Sequence, residues 1–292
     1  MVSPQAQLIV YSDLDGTLLD HHNYSFAAAQ RSLALLASAN FPLLLNTSKT
    51  FSEVISLRHQ LDNHHPFIIE NGSAICIPAN YFVWLDGMLS TQLYAGEQRY
   101  FIQNLGPNYS NIIKVLHQLR KQHGYQFTGF ADMSDADVAD CTSLPLADAQ
   151  MAKRRQASEP MLWQDSDAAL TQLKLQLKPL GLKVLKGGRF LHVMGHVDKS
   201  TALDWLQPHF ARKYAQFKQI TVALGDSQND LCMLERADIG VVIPDAKNQR
   251  LSPVGKQIKF ASQQGPEGWD AVMYPLILDI INSLPEKEFM HG

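Results

Sequence analysis

Short apolar runs ending abruptly in small or acidic residues alternate with longer stretches of helical periodicity along this chain. The pattern predicts strands at Leu8–Leu14, Pro42–Asn46, Phe67–Ile69 and Ala74–Ile77, the last pair joined through an Asn71-Gly72 turn, and later strands at Ile220–Leu224 and Ile239–Ile243. Amphipathic helices are expected over Phe26–Ala39 and Phe51–Leu61. The second opens on Thr50 with Glu53 three residues on, which reads as a capping box. Strands alternating with helices imply parallel pairing and right-handed crossovers, so the expected class is α/β with a Rossmann-like parallel sheet. From about Trp84 the texture changes. Helices are expected over Asn108–Gln122, Ser134–Thr142, Leu146–Arg155 and Ser166–Lys178, with strands at Tyr125–Phe130, Pro160–Trp163, Leu182–Leu185 and Arg189–Met194. These form a second α/β unit within the first. A chain of 292 residues exceeds one ordinary hydrophobic core. Residues 1–83 and 195–292 are therefore expected to form one domain, with 84–194 inserted in it.

The strand ends carry the chemistry. In LIVYSDLDGTLLD, an apolar run delivers Asp13 and Asp15 and then Gly16. Residues i and i+2 of a strand share a side, and in open parallel sheets ligands bind at the carboxyl ends of strands. Two crowded carboxylates call for a hard divalent cation with oxygen ligands. Taken alone, Asp and Gly after a strand are ordinary turn residues. Three further segments change the balance. FPLLLNTSKT ends a strand in Thr47, Ser48 and Lys49; its Thr50 cap is structural, yet a hydroxyl beside a helix N-terminus also suits a phosphate oxygen. Lys199 opens a helix in GHVDKSTALDWL, where its charge opposes the macrodipole and asks for an anionic partner. ITVALGDSQNDLCML ends in Gly225 and Asp226, with Asn229 and Asp230 opening the next helix. Neither acidic segment has the alternating ligands, central Gly and terminal Glu of an EF-hand loop.

Composition narrows the picture. A net charge of −3 gives no electrostatic reason to expect nucleic acid or an acidic membrane surface as partner. Three scattered cysteines without a CxxC read as buried, reduced thiols of a cytoplasmic protein. The N-terminus lacks the basic and apolar regions of a signal peptide. The apolar tail AVMYPLILDIINSL is too short to span a membrane and contains Pro275 and Asp279, so a core helix is expected.

DLDGT, a strand-end Thr, a helix-opening Lys and GDSQND, in that order, resemble the four motifs of the haloacid dehalogenase superfamily of phosphotransferases. TSKT at Thr47–Thr50, SEP at Ser158–Pro160, GGRF at Gly187–Phe190 and GPEGW at Gly265–Trp269 are similar to the mannosyl-3-phosphoglycerate phosphatase family. RQASEP departs from that pattern by carrying Gln156 where an acidic residue is expected. The resemblance implies a Rossmann-like core with an inserted α/β cap that selects the substrate. Phosphoryl transfer needs an in-line nucleophile, neutralised oxygens and a proton for the leaving alcohol. Asp13 is then the expected nucleophile and Asp15 the general acid and base, its backbone carbonyl also on the metal. Mg²⁺ would be held by Asp13, Asp15, Asp226 and Asp230, with Asn229 orienting. Thr47, Ser48 and Lys199 would grip the phosphate. Lys49, Arg155, Ser158 and Arg189 are the candidates for reading the rest of a small phosphorylated substrate, because guanidinium groups suit a glycerate carboxylate. Arg154 and Arg155 also fit a solvated helix end. The implied reaction is hydrolysis of a phosphorylated sugar acid or sugar phosphate, foremost mannosyl-3-phosphoglycerate. The alternatives are a phosphohexomutase-like phosphotransferase, a phosphatase of another sugar phosphate, and a sugar-phosphate-binding regulator without turnover.

Overall fold

A computed structural model describes residues 6–89, 91–187 and 189–282. They fall into two compact units, one reaching from the amino-terminal side to Thr47 and resuming at Leu203, the other comprising Ser48–Ala202.

The first unit is built on five parallel strands, in the order Ile258–Phe260, Ile239–Val242, Lys218–Gly225, Ala6–Ser12, Leu43–Leu45. This is the expected α/β class. Ala6–Ser12 lies between two neighbours, so its whole Leu8–Tyr11 run is buried rather than alternating. Its register places Ser12 opposite both Leu45 and Leu224, so three strands end at one level. The helix Gly265–Asn282 begins inside GPEGW and buries Trp269 completely. No described helix is long and apolar enough to cross a membrane; Ser283 and Leu284 of the apolar tail lie outside the described residues.

The second unit contains two four-stranded antiparallel sheets. One has the order Phe67–Ile69, Ala74–Pro78, Gln98–Asn104, Gln92–Ala95. Phe67–Ile69 and Ala74–Pro78 thus stand outside the parallel sheet, because the turn after Ile69 folds them on each other as a hairpin. The strands Gln92–Ala95 and Gln98–Asn104 escape the sequence pattern. Gln92–Ala95 is an edge strand without a buried residue, so it shows no apolar alternation. The other sheet has the order Phe127–Gly129, Ser158–Trp163, Leu191–Gly195, Leu182–Lys186. The helices Tyr109–His123 and Asp167–Leu177 bury Ile112, Leu116, Leu173 and Leu177 against its Met161 and Val193.

Several helix ends follow their sequence signals. Thr50 and Glu53 form the expected capping box before Phe51–Gln60, and Ser134 with Asp137 forms another before Asp135–Thr142. The helix expected to reach Arg155 stops at Ala152. Its would-be continuation is diverted, because the amides of Gln156 and Ala157 donate to the Glu70 carboxylate at 2.6 and 3.1 Å. Of the three cysteines, Cys76 is buried, Cys141 half-buried and Cys232 exposed. The expectation of buried thiols holds for the first alone, because Cys232 lies on the outer side of its short helix.

Candidate active site

The level strand ends of the parallel sheet carry an acidic cluster. Asp13 follows Ser12 directly, and its amide donates to Leu224 O at 3.0 Å. Asp13 therefore stands level with Gly225, and Asp226 lies one residue further along. The carboxylates of Asp13, Asp226 and Asp230 offer oxygens that all lie within 4.8 Å of one another. Asp13 and Asp230 are buried. Three carboxylates so close, two of them withdrawn from water, repel strongly unless a cation sits among them. An all-oxygen set of this kind suits Mg²⁺.

Backbone geometry aims these groups. The Asp230 Oδ2 accepts the amides of Asp226 and Ser227 at 3.2 and 3.0 Å, completing a capping box with Ser227. The turn after Asp13 is closed by Gly16 and Leu19 amides on the carbonyls of Leu19 and Leu14, respectively. Gly16 adopts φ +79°, and a Cβ there would lie 2.6 Å from Asp226 Oδ2. Only glycine satisfies both demands. The Thr17 hydroxyl reaches Asp226 Oδ1 at 3.4 Å. Asp15 is half-buried in this turn, bridging to Leu19. Asn229 lies in the 3₁₀ turn Gln228–Asp230, where its side-chain oxygen accepts the Ser227 hydroxyl. Thr47 is buried two residues past Leu45, beyond the end of the neighbouring strand.

The second unit gathers several other predicted residues around one side chain that the sequence did not single out. Glu70 is fully buried and opens a left-handed run, with φ +51° at Glu70, +58° at Asn71 and +89° at Gly72. Its amide donates to Lys49 O at 3.1 Å. A Cβ on Gly72 would lie 2.0 Å from Asp198 O, so glycine lets this turn press against the residue before Lys199. Lys199 is fully buried as the first residue of the helix Lys199–Lys213. Asp198 caps that helix, accepting the amides of Ser200 and Thr201 at 2.8 and 3.2 Å. Burial pushes the Asp198 carboxyl upward, but the Ser200 hydroxyl and these amides outweigh it and hold it below the usual range.

The Glu70 carboxylate also accepts the Ser158 hydroxyl at 2.7 Å and pairs with Arg155 Nε at 3.4 Å. Arg155 in turn donates from Nη2 to Ser158 Oγ at 2.6 Å and to Ser48 O at 3.4 Å. Arg155 is buried while Arg154 is exposed, so the solvated-helix-end reading applies to Arg154 alone. Arg189 is placed differently. Its guanidinium donates to the carbonyls of Cys141 and Thr142, at the end of the helix Asp135–Thr142. A cation there satisfies orphan carbonyls and complements the helix dipole. Gly188 of the GGRF string lies outside the described residues.

Two more titratable groups flank this cluster. Burial pushes the Glu159 carboxyl up, with the Ala131 amide and the Tyr109 hydroxyl, at 2.9 and 2.8 Å, holding it back. His192 sits opposite Pro160 in the sheet. Its residue surface is partly open, but Nδ1 is enclosed and has no hydrogen-bond partner among the described residues. Burial, with the Arg155 charge adding, pushes its pKa down to about 3.

A parallel α/β sheet with carboxylates clustered at its strand ends is an arrangement that could hold a metal ion beside a bound ligand. The haloacid dehalogenase-like hydrolases match this sequence over residues 10–129 and 151–265. A glucosyl-3-phosphoglycerate/mannosyl-3-phosphoglycerate phosphatase of Methanococcoides burtonii is 37% identical over 92% of this chain and 97% of its own. One from Persephonella marina is 33% identical over 94% and 98%. The chain belongs to the haloacid dehalogenase-like hydrolases, in the branch these two phosphatases represent. Solved structures share the fold at lower identity. A haloacid dehalogenase-like hydrolase from Bacteroides thetaiotaomicron superposes with a TM-score of 0.62 at 17% identity, over 93% of this chain and all of its own. The sucrose-phosphatase of Synechocystis superposes with a TM-score of 0.55 at 16% identity, over 95% and 99%.

Proposed function

We propose that this protein is a Mg²⁺-dependent phosphatase that hydrolyses a glycosyl-3-phosphoglycerate, foremost mannosyl-3-phosphoglycerate, to the glycosylglycerate and phosphate. The observation that carries this reading is the Asp13, Asp226 and Asp230 cluster at the ends of parallel strands. Its occurrence in a chain 37% identical to a phosphatase of that name gives the substrate class.

In the proposed mechanism an Asp13 carboxylate oxygen attacks phosphorus as the bond to the leaving alcohol breaks. Asp15 gives its proton to that departing oxygen. Asp15, now a carboxylate, takes a proton from water, whose oxygen attacks the phosphorus of the aspartyl-phosphate. The bond to Asp13 breaks, phosphate leaves, and both residues return to their starting forms. Mg²⁺, held by Asp13, Asp226 and Asp230 with the Asp15 carbonyl, would neutralise charge on the phosphate oxygens. Asn229 orients the loop that carries these acids. Thr47, Ser48 and Lys199 bind the remaining phosphate oxygens.

The rest of the substrate is read by residues 84–194, acting as a cap, together with Lys49. Arg155 is assigned the glycerate carboxylate, with Ser158 beside it, and Arg189 is given the helix-capping part instead. Three scattered cysteines without a CxxC suit a reducing compartment such as the cytoplasm. The test is a phosphate-release screen with Mg²⁺ over sugar phosphates, phosphoglycerates and glycosyl-3-phosphoglycerates. The expected result is the highest kcat/KM on a glycosyl-3-phosphoglycerate. A preference for plain hexose phosphates would overturn the substrate assignment, and sugar phosphorylation without free phosphate would make the enzyme a phosphotransferase.

A further inference from the structure

We infer that Glu70 is a positioning residue for substrate recognition, fixing the Arg155 guanidinium so that one terminal nitrogen, Nη1, is presented to the substrate's carboxylate. The inference rests on the carboxylate role given to Arg155 above and adds how that role is enforced.

The hydrogen-bond directions decide it. Ser158 has one hydroxyl proton, and it goes to Glu70 Oε2 at 2.7 Å. Its oxygen is therefore turned to accept from Arg155 Nη2 at 2.6 Å. Ser158 is fully buried and spends its single proton inside the chain, so it acts as a relay and not as a donor to substrate. Arg155 Nε is held by Ser158 O at 3.3 Å and by the Glu70 charge at 3.4 Å, and Nη2 also reaches Ser48 O. A guanidinium is a planar fork, so fixing Nε and Nη2 fixes Nη1 as well. Among the described residues no hydrogen bond uses Nη1, although the side chain is only 4% exposed. That nitrogen keeps contact with solvent while the rest of the guanidinium is enclosed, so it is open to an acceptor that the chain does not supply. An anion is the matching ligand, and the grip is through one nitrogen instead of the paired fork.

Glu70 is suited to this part because nothing about it can shift independently. Its two oxygens take the Gln156 and Ala157 amides and the Ser158 hydroxyl, and its own amide is tied to Lys49 O. The same residue thus fixes the start of the Ser158–Trp163 strand and the backbone of the Thr47–Thr50 segment.

The experiment compares two small esters that differ at the carboxylate, 3-phosphoglycerate and glycerol 3-phosphate, in the wild type and in Glu70→Gln and Ser158→Ala. Losing a charge-assisted contact should raise KM for 3-phosphoglycerate about tenfold or more with a much smaller change in kcat. The ratio of the two KM values should therefore collapse in both variants. Glu70→Gln turns an amide toward backbone donors and can fail to fold. Ser158→Ala interrupts the same relay by removing one hydroxyl and leaves the Glu70 backbone contacts in place. A merely structural role would lower kcat/KM for both esters alike and leave the ratio standing, which overturns the part given to Glu70. A wild type that already ignores the carboxylate overturns the assignment of Arg155 beneath it.

Discussion

Trp269 donates its indole N–H to the Ser12 hydroxyl at 3.0 Å, and that hydroxyl donates in turn to the Asp13 carbonyl at 2.7 Å. The amino-terminal part of the helix Gly265–Asn282 is thereby tied to the residue before the proposed nucleophile. Trp269 is fully buried, so the tie is protected from water. Trp269→Phe keeps most of the ring and removes the donor; urea unfolding should show a loss of about 1–3 kcal/mol. Trp269→Ala should cost about 3–5 kcal/mol. Equal stability of Trp269→Phe and wild type would show that the hydrogen bond contributes nothing.

Gly16→Ala tests the turn that carries Asp15. The new methyl meets Asp226 Oδ2 at 2.6 Å, on a residue already at φ +79°. Displacing a carboxylate of the cluster should raise the Mg²⁺ concentration for half-maximal activity by about 10–100-fold, the usual cost of disturbing a metal ligand's support. A titration of activity against Mg²⁺ checks this.

Crowding among Asp13, Asp226 and Asp230 has a signature that needs no substrate. Mg²⁺ should raise the Tm of the wild type in proportion to its logarithm once above its Kd, because it binds the folded state alone. In Asp226→Asn the shift should vanish, and the metal-free variant should melt no lower than the metal-free wild type, since one repelling charge is gone. Scanning calorimetry with and without a chelator reads both.

The stability of the second unit should depend on His192. Its folded pKa is pushed down to about 3, against about 6.5 unfolded. Above pH 6.5 neither state binds the proton and His192 adds no pH dependence. As pH falls from there toward 3 the unfolded chain alone takes up a proton, so stability is lost. At pH 5 this amounts to about 2 kcal/mol. Between pH 7 and pH 5 the wild type should lose that much more than His192→Gln, measured by urea unfolding at the two pH values. Parallel losses would mean that His192 is not held neutral.

What the sequence displays and what it hides divide along one physical line. Asp13 and Asp226 each follow the end of an apolar run, so the local pattern announces them and a parallel sheet brings the ends together, while Asp230 is read from the turn that follows Asp226. Glu70 has no such announcement. Before an Asn-Gly pair it reads as a loop acid, and its partners Gln156, Ala157 and Ser158 lie some eighty-odd residues away. Arg155 and Arg189 look alike in sequence, and only tertiary structure sends one to a buried carboxylate and the other to a helix end. The Gln92–Ala95 strand is hidden because an exposed edge needs no apolar face. The stop at Ala152 is hidden because Glu70, not a Gly or Pro, diverts the chain.

The nucleophilic role of Asp13 is tested most directly by trapping the phosphoenzyme. Enzyme quenched during turnover is treated with borohydride, which reduces an acyl phosphate to an alcohol, and the peptides are mapped by mass. Conversion of Asp13, and no other aspartate, to homoserine is the expected result. An unmodified Asp13 in an enzyme that is releasing phosphate, together with near wild-type turnover by Asp13→Asn, would contradict the account.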